Sequence, residues 1–226
     1  MNSVVLLSAG LDSTVAFKHA YDQCEDVLCL TFDYGQQAAA KEIGCATMIC
    51  DKFDVPHEVI ELPWIARFGG ALTGTSELPQ IKEHELDSEK AVETARGVWV
   101  PARNLIFMAI AAGYAENYDY DFITVGLDFE EARTFPDNTR EFAQAFDRVL
   151  EYGTISNLKI NAPLIHMNKV DIVRLGVLNG APLELSWSCY RSGDVPCGVC
   201  ESCLRRARAF AEVGVKDPGL PGAVAQ

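Results

Sequence analysis

The segment Ser8-Ala9-Gly10-Leu11-Asp12-Ser13 constrains this chain more than any other. It follows the apolar run Val4-Val5-Leu6-Leu7 and precedes Thr14-Val15-Ala16-Phe17-Lys18-His19-Ala20, which reads as a helix. Strand, small-residue turn and helix in this order aim free backbone N–H groups and the positive helix end at one point, a natural seat for an anion such as a phosphate. Ser8 and Ser13 add hydroxyl donors. The Asp12 carboxylate makes sense beside a phosphate when Mg²⁺ lies between them. The same residues also suit an ordinary strand-to-helix turn with Asp or Ser as the cap.

The pattern downstream extends this unit. Residues 4–8, 27–32 and 57–62 read as strands, and residues 13–21 and 37–53 as helices, with Ile43, Ala46, Ile49, Cys50 and Phe53 at helical spacing. Residues 101–117, 137–152 and 168–178 read as further helices, and 121–125 and 159–164 as extended. Alternating strands and helices predict an α/β fold, a doubly wound, Rossmann-like parallel sheet. Ligands of such sheets sit at the carboxyl ends of the strands, where the Ser8–Ser13 turn falls. Residues 64–98 break the pattern with Gly69-Gly70, Gly74, Pro79 and a charged run. They read as an irregular, mobile insertion closing over the site, with a short helix near 88–96. A solvated surface loop is the alternative.

The 226 residues suffice for a substantial core. The expected division is an α/β domain over 1–185 and a C-terminal element over 186–226. A formal net charge of −13 argues against nucleic acid as the main partner, although Arg205, Arg206 and Arg208 cluster near the end. The apolar start is short and meets Asp12 at once, and no apolar run reaches membrane-spanning length. The expectation is a cytoplasmic protein with reduced thiols and no membrane.

Cys189, Cys197, Cys200 and Cys203 form C-x₇-C-x₂-C-x₂-C, shaped by Pro196 and Gly198. In a reducing compartment this spacing predicts a closed, structural Zn²⁺ site. An iron–sulfur cluster and a pair of disulfides are the alternatives. Cys24, Cys29, Cys45 and Cys50 lack ligand spacing and read as small buried hydrophobes, and His19 and His57 as structural.

The Ser8–Ser13 turn resembles the SGGxDS pyrophosphate loop of the N-type ATP pyrophosphatases, with Ala9 in place of the first glycine. Ala9 is harmless at negative φ and strained at positive φ. Three further blocks, Asp33-Tyr34-Gly35-Gln36-Gln37 with Glu42 beyond, Val100-Pro101-Ala102-Arg103-Asn104, and Trp187-Ser188-Cys189-Tyr190 with Pro196-Cys197-Gly198-Val199-Cys200-Glu201-Ser202-Cys203, complete a resemblance to the 7-cyano-7-deazaguanine (preQ0) synthase family from Val4 to about Pro218. The resemblance implies an adenine nucleotide alpha hydrolase-like fold, a homodimer, and a carbon–nitrogen ligase of deazapurine (queuosine or archaeosine) biosynthesis. Its partners would be ATP, ammonia and 7-carboxy-7-deazaguanine, and its cofactors structural Zn²⁺ and Mg²⁺ with ATP. It assigns ATP binding to Leu7, Ser8, Ala9, Gly10, Leu11, Asp12, Ser13, Thr14, Val15, Ala16, Phe17, Asp33 and Tyr34, and catalysis to Asp12, Ser13, Arg103 and Lys169. Arg103, Asn104, Asp137 and Arg140 would meet the substrate. Arg103 equally suits a surface ion pair, Lys169 a solvated helix position, and Asp33 with Gly35 a plain turn.

The stretch from Gly126 to Arg140 departs from the family's GxNxxDxSGYPDCR: Pro136-Asp137 is retained, the Ser-Gly-Tyr and the Cys are missing, and Arg140 falls one residue late. The reaction type is therefore better specified than the carboxylate. A paralog acting on another carboxylate, or stopping at the amide, is the enzymatic alternative. A nucleotide-sensing zinc-ribbon module is the non-enzymatic one.

Overall fold

A computed structural model describes residues 1–220. The five strands are β1 (Asn2–Leu6), β2 (Asp26–Asp33), β3 (His57–Glu61), β4 (Phe122–Thr124) and β5 (Lys159–Asn161). They form one parallel sheet in the order β3-β2-β1-β4-β5. Val4 is registered with Leu28 on one side and Ile123 on the other. β1 is therefore central and its interior residues are buried, as expected of a parallel strand covered on both faces. The chain winds outward from β1 to β3 and then returns to β4 beside β1. The reversal lies between β1 and β4, so the turns that leave these two strands flank the crevice that such a reversal opens.

The helices are α1 (Leu11–Gln23), α2 (Ala39–Phe53), α3 (Glu89–Val98), α4 (Arg103–Asn117), α5 (Phe129–Ala132), α6 (Arg140–Gly153), α7 (Lys169–Asn179) and α8 (Glu201–Val213). Three boundaries moved for local reasons. α1 begins at Leu11 because extended Gly10 takes the cap position, which brings Asp12 into the first turn. α4 begins at Arg103, after left-handed Ala102 (φ 56°), so Pro101 stands outside the helix. Pro136–Asn138 forms a 3-10 turn, and α6 starts after Thr139, whose hydroxyl accepts the Phe142 N–H at 3.1 Å.

One face of the sheet packs Leu30, Phe32 and Ile123 against Met108 and Ala111 of α4. The other packs Val5, Leu7 and Cys29 against Phe17, Ala46 and Ile49. α1, α7 and α8 share a further cluster through Val15, Ile172, Val173 and Phe210. A Cβ on Gly176 would stand 2.9 Å from Val15, so glycine there sets how closely α7 approaches α1. The insertion is irregular outside α3 and two short 3-10 turns, as expected, but it is well packed. Ile65, Ala71, Leu72, Leu78, Leu86 and Val98 are buried, the Gln37 N–H donates to the Leu72 carbonyl at 2.7 Å, and the expected short helix is α3. Apolar side chains scattered among its Gly, Pro and charged residues reach the main core, and Leu86 forms a small cluster with Ile81 and Ala91. Among the described residues no single helix is long and apolar enough to cross a membrane.

Candidate active site

A cavity of about 300 Å³ opens at the carboxyl ends of the strands. Leu7, Ser8, Gly10, Leu11, Asp12 and Ser13 line one end of it. The Ser8 and Ser13 hydroxyls lie 3.0 Å apart. Ala9, Thr14, Val15, Ala16 and Phe17 do not line it; they are fully buried and hold the turn from behind. Ala9 has φ 57°, the strained alternative, and the left-handed region costs an L-residue about 1–2 kcal/mol. Two contacts offset this: its methyl is buried in the core, and its carbonyl accepts the Trp187 N–H at 2.7 Å. Gly126, just after β4, touches the start of α1. A Cβ there would lie 2.9 Å from the Ser13 nitrogen.

Behind the turn stands Lys169, the first residue of α7, and it is buried. Its Nζ donates to Asp12 at 2.8 Å and Asp128 at 3.0 Å, and lies 3.2 Å from Glu131. The solvated-lysine alternative is thereby excluded. Asp128 also caps α5, accepting the Glu130 and Glu131 N–H groups at 2.8 and 3.0 Å. Burial pushes its carboxyl up to about 7 even though Lys169 pulls the other way. Burial opposes charge on Lys169, but Asp12, Asp128 and Glu131 hold its ammonium well above the usual lysine range. Glu131 is also desolvated, yet Lys169 and Arg205 hold it below the usual carboxylate range. The sequence reading missed Asp128 and Glu131 as site residues. The available signal was Asp128-Phe129-Glu130-Glu131, a capping pattern at the carboxyl end of a strand. The second oxygen of Asp12, Oδ1, is buried without a hydrogen-bond partner. Three carboxylates against one ammonium, with one orphaned oxygen, fit a divalent cation at this point.

The other end of the cavity is lined by Tyr34, Phe107, Trp99, Phe135, Arg103, Asn104 and Asp137. Arg103 Nη1 donates to the Tyr34 hydroxyl at 3.1 Å, and the guanidinium lies 5.7 Å from the ring centroid. Arg103 therefore faces the cavity and is no surface ion pair. Phe32 and Phe107 stack at 4.0 Å, and Trp99 and Phe135 at 5.9 Å. Burial raises the Asp137 carboxyl against the pull of Arg103. Two expected residues lie elsewhere. Arg140, the first residue of α6, is exposed and outside the lining, because the 3-10 turn before it carries the chain away. Asp33 forms the turn, accepting the Gly35 N–H at 3.0 Å, while Tyr34 alone lines the cavity.

The sulfurs of Cys189, Cys197, Cys200 and Cys203 all lie within 4.8 Å of one another. The Arg191 and Cys197 N–H groups donate to Cys189 Sγ at 3.4 Å, as suits a thiolate. None of the eight cysteines is paired in a disulfide, which removes that alternative. Four sulfurs so placed can hold a metal ion. The three arginines make no open basic patch. Arg205 pairs with Glu130 and Glu201, Arg206 pairs with Asp217 and donates to Ser186 and Ser188, and Arg208 pairs with Asp87 and Glu130.

Sheet, cleft and cysteine cluster together define a doubly wound α/β protein with a cleft at the strand reversal and a four-cysteine knuckle that could hold a metal. The family model for the queuosine biosynthesis protein QueC matches residues 2–214, and the chain belongs to that family. Two of its relatives are the 7-cyano-7-deazaguanine synthases of Methanosphaera stadtmanae and Methanocaldococcus jannaschii. The first is 46% identical over 95% of this chain and 96% of the relative, the second 47% over 96% and 97%. Among solved structures, the U34-tRNA thiolase NcsA from Methanococcus maripaludis with its 4Fe-4S cluster has a TM-score of 0.48 at 15% identity, covering 99% of this chain and 68% of that one.

Proposed function

We propose that this chain is an ATP-dependent ligase that converts 7-carboxy-7-deazaguanine and ammonia to 7-cyano-7-deazaguanine, through an acyl-adenylate and an amide. The observation that supports it best is the continuity of one cavity from the Ser8–Ser13 turn to the Arg103 end. In this reading the nucleotide lies toward the Ser8–Ser13 turn and the aromatic carboxylate toward Arg103.

In this reading the turn's N–H groups and the Ser8 and Ser13 hydroxyls bind the pyrophosphate. Asp12 Oδ1 and Glu131 would hold Mg²⁺, which spreads the charge of the departing pyrophosphate. Lys169 would hold Asp12 and Glu131 in place beside the phosphates through its ion pairs with them. Arg103 forks onto the substrate carboxylate, and Trp99, Phe107 and Phe135 exclude water around the base. A carboxylate oxygen attacks the α-phosphorus and the bond to pyrophosphate breaks. Ammonia attacks the acyl carbon and AMP leaves with that oxygen, giving the amide. The amide oxygen attacks a second ATP, pyrophosphate leaves, and loss of AMP with two protons gives the nitrile.

The four cysteines would hold Zn²⁺. Zn–S bonds of ≈ 2.3 Å set four tetrahedral sulfurs about 3.8 Å apart, which is compatible with sulfurs that all lie within 4.8 Å of one another. A polynuclear iron–sulfur core would spread its ligands more widely. With no open coordination position, the zinc has a structural role.

The test is AMP release by metal-quantified protein given Mg-ATP and ammonium, with and without 7-carboxy-7-deazaguanine. AMP that depends on this carboxylate, with the nitrile found by mass, is expected. An amide as the final product would restrict the reaction to its first half, and no AMP would overturn the reading.

A further inference from the structure

Ammonia reaches any such enzyme at neutral pH mostly as ammonium, which has no lone pair to attack with. Some group in the cavity must bind that cation and take a proton. The cavity carboxylates are Asp12, Asp128, Glu131, Asp137 and Glu42. The first three are bound to Lys169. Among the described residues the one hydrogen bond to Asp137 from another side chain comes from Asn138 of the same short turn. Glu42, in the first turn of α2, is different.

Gln36 holds Glu42 in place. Its carbonyl oxygen accepts the Tyr34 N–H at 2.9 Å, and its amide nitrogen donates both to the Phe32 carbonyl and to Glu42 Oε2, each at 2.9 Å. Both amide hydrogens and the amide oxygen are thus committed, and the Glu42 side chain is fixed from β2. Among the described residues Gln36 is its one hydrogen-bond partner, which leaves Oε1 for a ligand. Burial raises this carboxyl, with Gln36 and Arg103 pulling it down and Asp33 pushing it up. A raised carboxyl is the stronger base of its class.

We propose that Glu42 binds ammonium in the cavity and serves as the base that releases ammonia for attack on the acyl-adenylate. One N–H bond of ammonium breaks and its proton goes to Glu42 Oε1. The freed lone pair forms the N–C bond, and the acyl C–O bond breaks with its electrons leaving on AMP. The second proton, shed by nitrogen after attack, goes to the departing AMP. The assignment rests on the function proposed above. Arg103, which would hold the substrate carboxylate, lines the same cavity as Glu42, and its charge pulls the Glu42 carboxyl down.

The test separates the two halves of the reaction. Hydroxylamine is largely unprotonated near neutral pH and captures an acyl-adenylate without a base. For Glu42→Gln, carboxylate-dependent exchange of pyrophosphate into ATP and hydroxamate formation should stay within a few-fold of the unaltered protein. Amide formation from ammonium should fall about 100-fold, a typical loss for a general base. Glu42→Asp, which keeps the charge but withdraws the carboxylate, replaces it should Glu42→Gln not fold, with the same split expected. Equal loss with both nucleophiles, or a split shown by Asp137→Asn instead, overturns the assignment. Absence of exchange in the unaltered protein defeats the proposed function rather than the role of Glu42.

Discussion

Asp128 is a carboxylate whose charge the fold tolerates poorly. It is fully buried, and its titration near 7 follows from lost hydration that Lys169 only partly repays. The unfolded carboxyl titrates at about 3.9. Between that value and about 7 the folded protein binds more protons than the unfolded one, so stability should fall as pH rises through this window. Asp128→Asn keeps the helix cap and cannot titrate, so its denaturant midpoint should fall less over the same range. Parallel curves for the two proteins would refute the buried titration. Lys169 shows what one residue's sequence context hides. Its place at the start of α7 is legible from Asn168, a good cap, but whether that start faces water or the crevice depends on Asp12 and Asp128, far away in the chain. Ala9 was legible only as a conditional. Its left-handed φ is set by the tertiary bond from Trp187, which no local propensity encodes.

At the scale of elements, the site is made by close approach of β4 to the start of α1. Gly126 is where they meet, and an added methyl would strike the Ser13 backbone rather than a movable side chain. Gly126→Ala should therefore push the turn out of register with Lys169. It should cost about 1–3 kcal/mol, the usual range for overpacking, and weaken ATP binding more than melting alone would suggest. Isothermal titration with ATP beside a denaturation curve checks this; unchanged affinity would show that the turn does not need this contact. Strands and crossover helices were legible because buried parallel strands are short apolar runs and their covering helices keep a helical period. The insertion's packing was not, since its buried Leu72, Leu78 and Leu86 follow neither period; the first two join the main core and Leu86 a small separate cluster.

At the scale of the whole molecule, the cysteine knuckle and the phosphate turn form one mechanical unit. The chain entering the knuckle passes through Trp187 and Ser188. The Trp187 N–H holds the Ala9 carbonyl, and its indole donates to the Arg191 carbonyl at 3.1 Å. From α8, Arg206 reaches back to Ser186 at 2.8 Å and Ser188 at 3.2 Å while paired with buried Asp217. The four-cysteine spacing was plain in the sequence, but this bracing was not: the arginines read as a basic cluster because their carboxylate partners lie on other elements. It follows that metal loss should be felt at the nucleotide end. Cys200→Ala should lower bound zinc and the melting temperature together. If the site contributes a few kcal/mol to folding, the fall is on the order of 10 °C, at roughly 2–4 °C per kcal/mol for a chain of this size. Below that melting point, KM for ATP should rise more than kcat falls, since a loosened Trp187 no longer holds Ala9 in its strained conformation. Lower melting with an unchanged KM would make the knuckle a fold element only, and unchanged melting would show that the cysteines hold no structural metal.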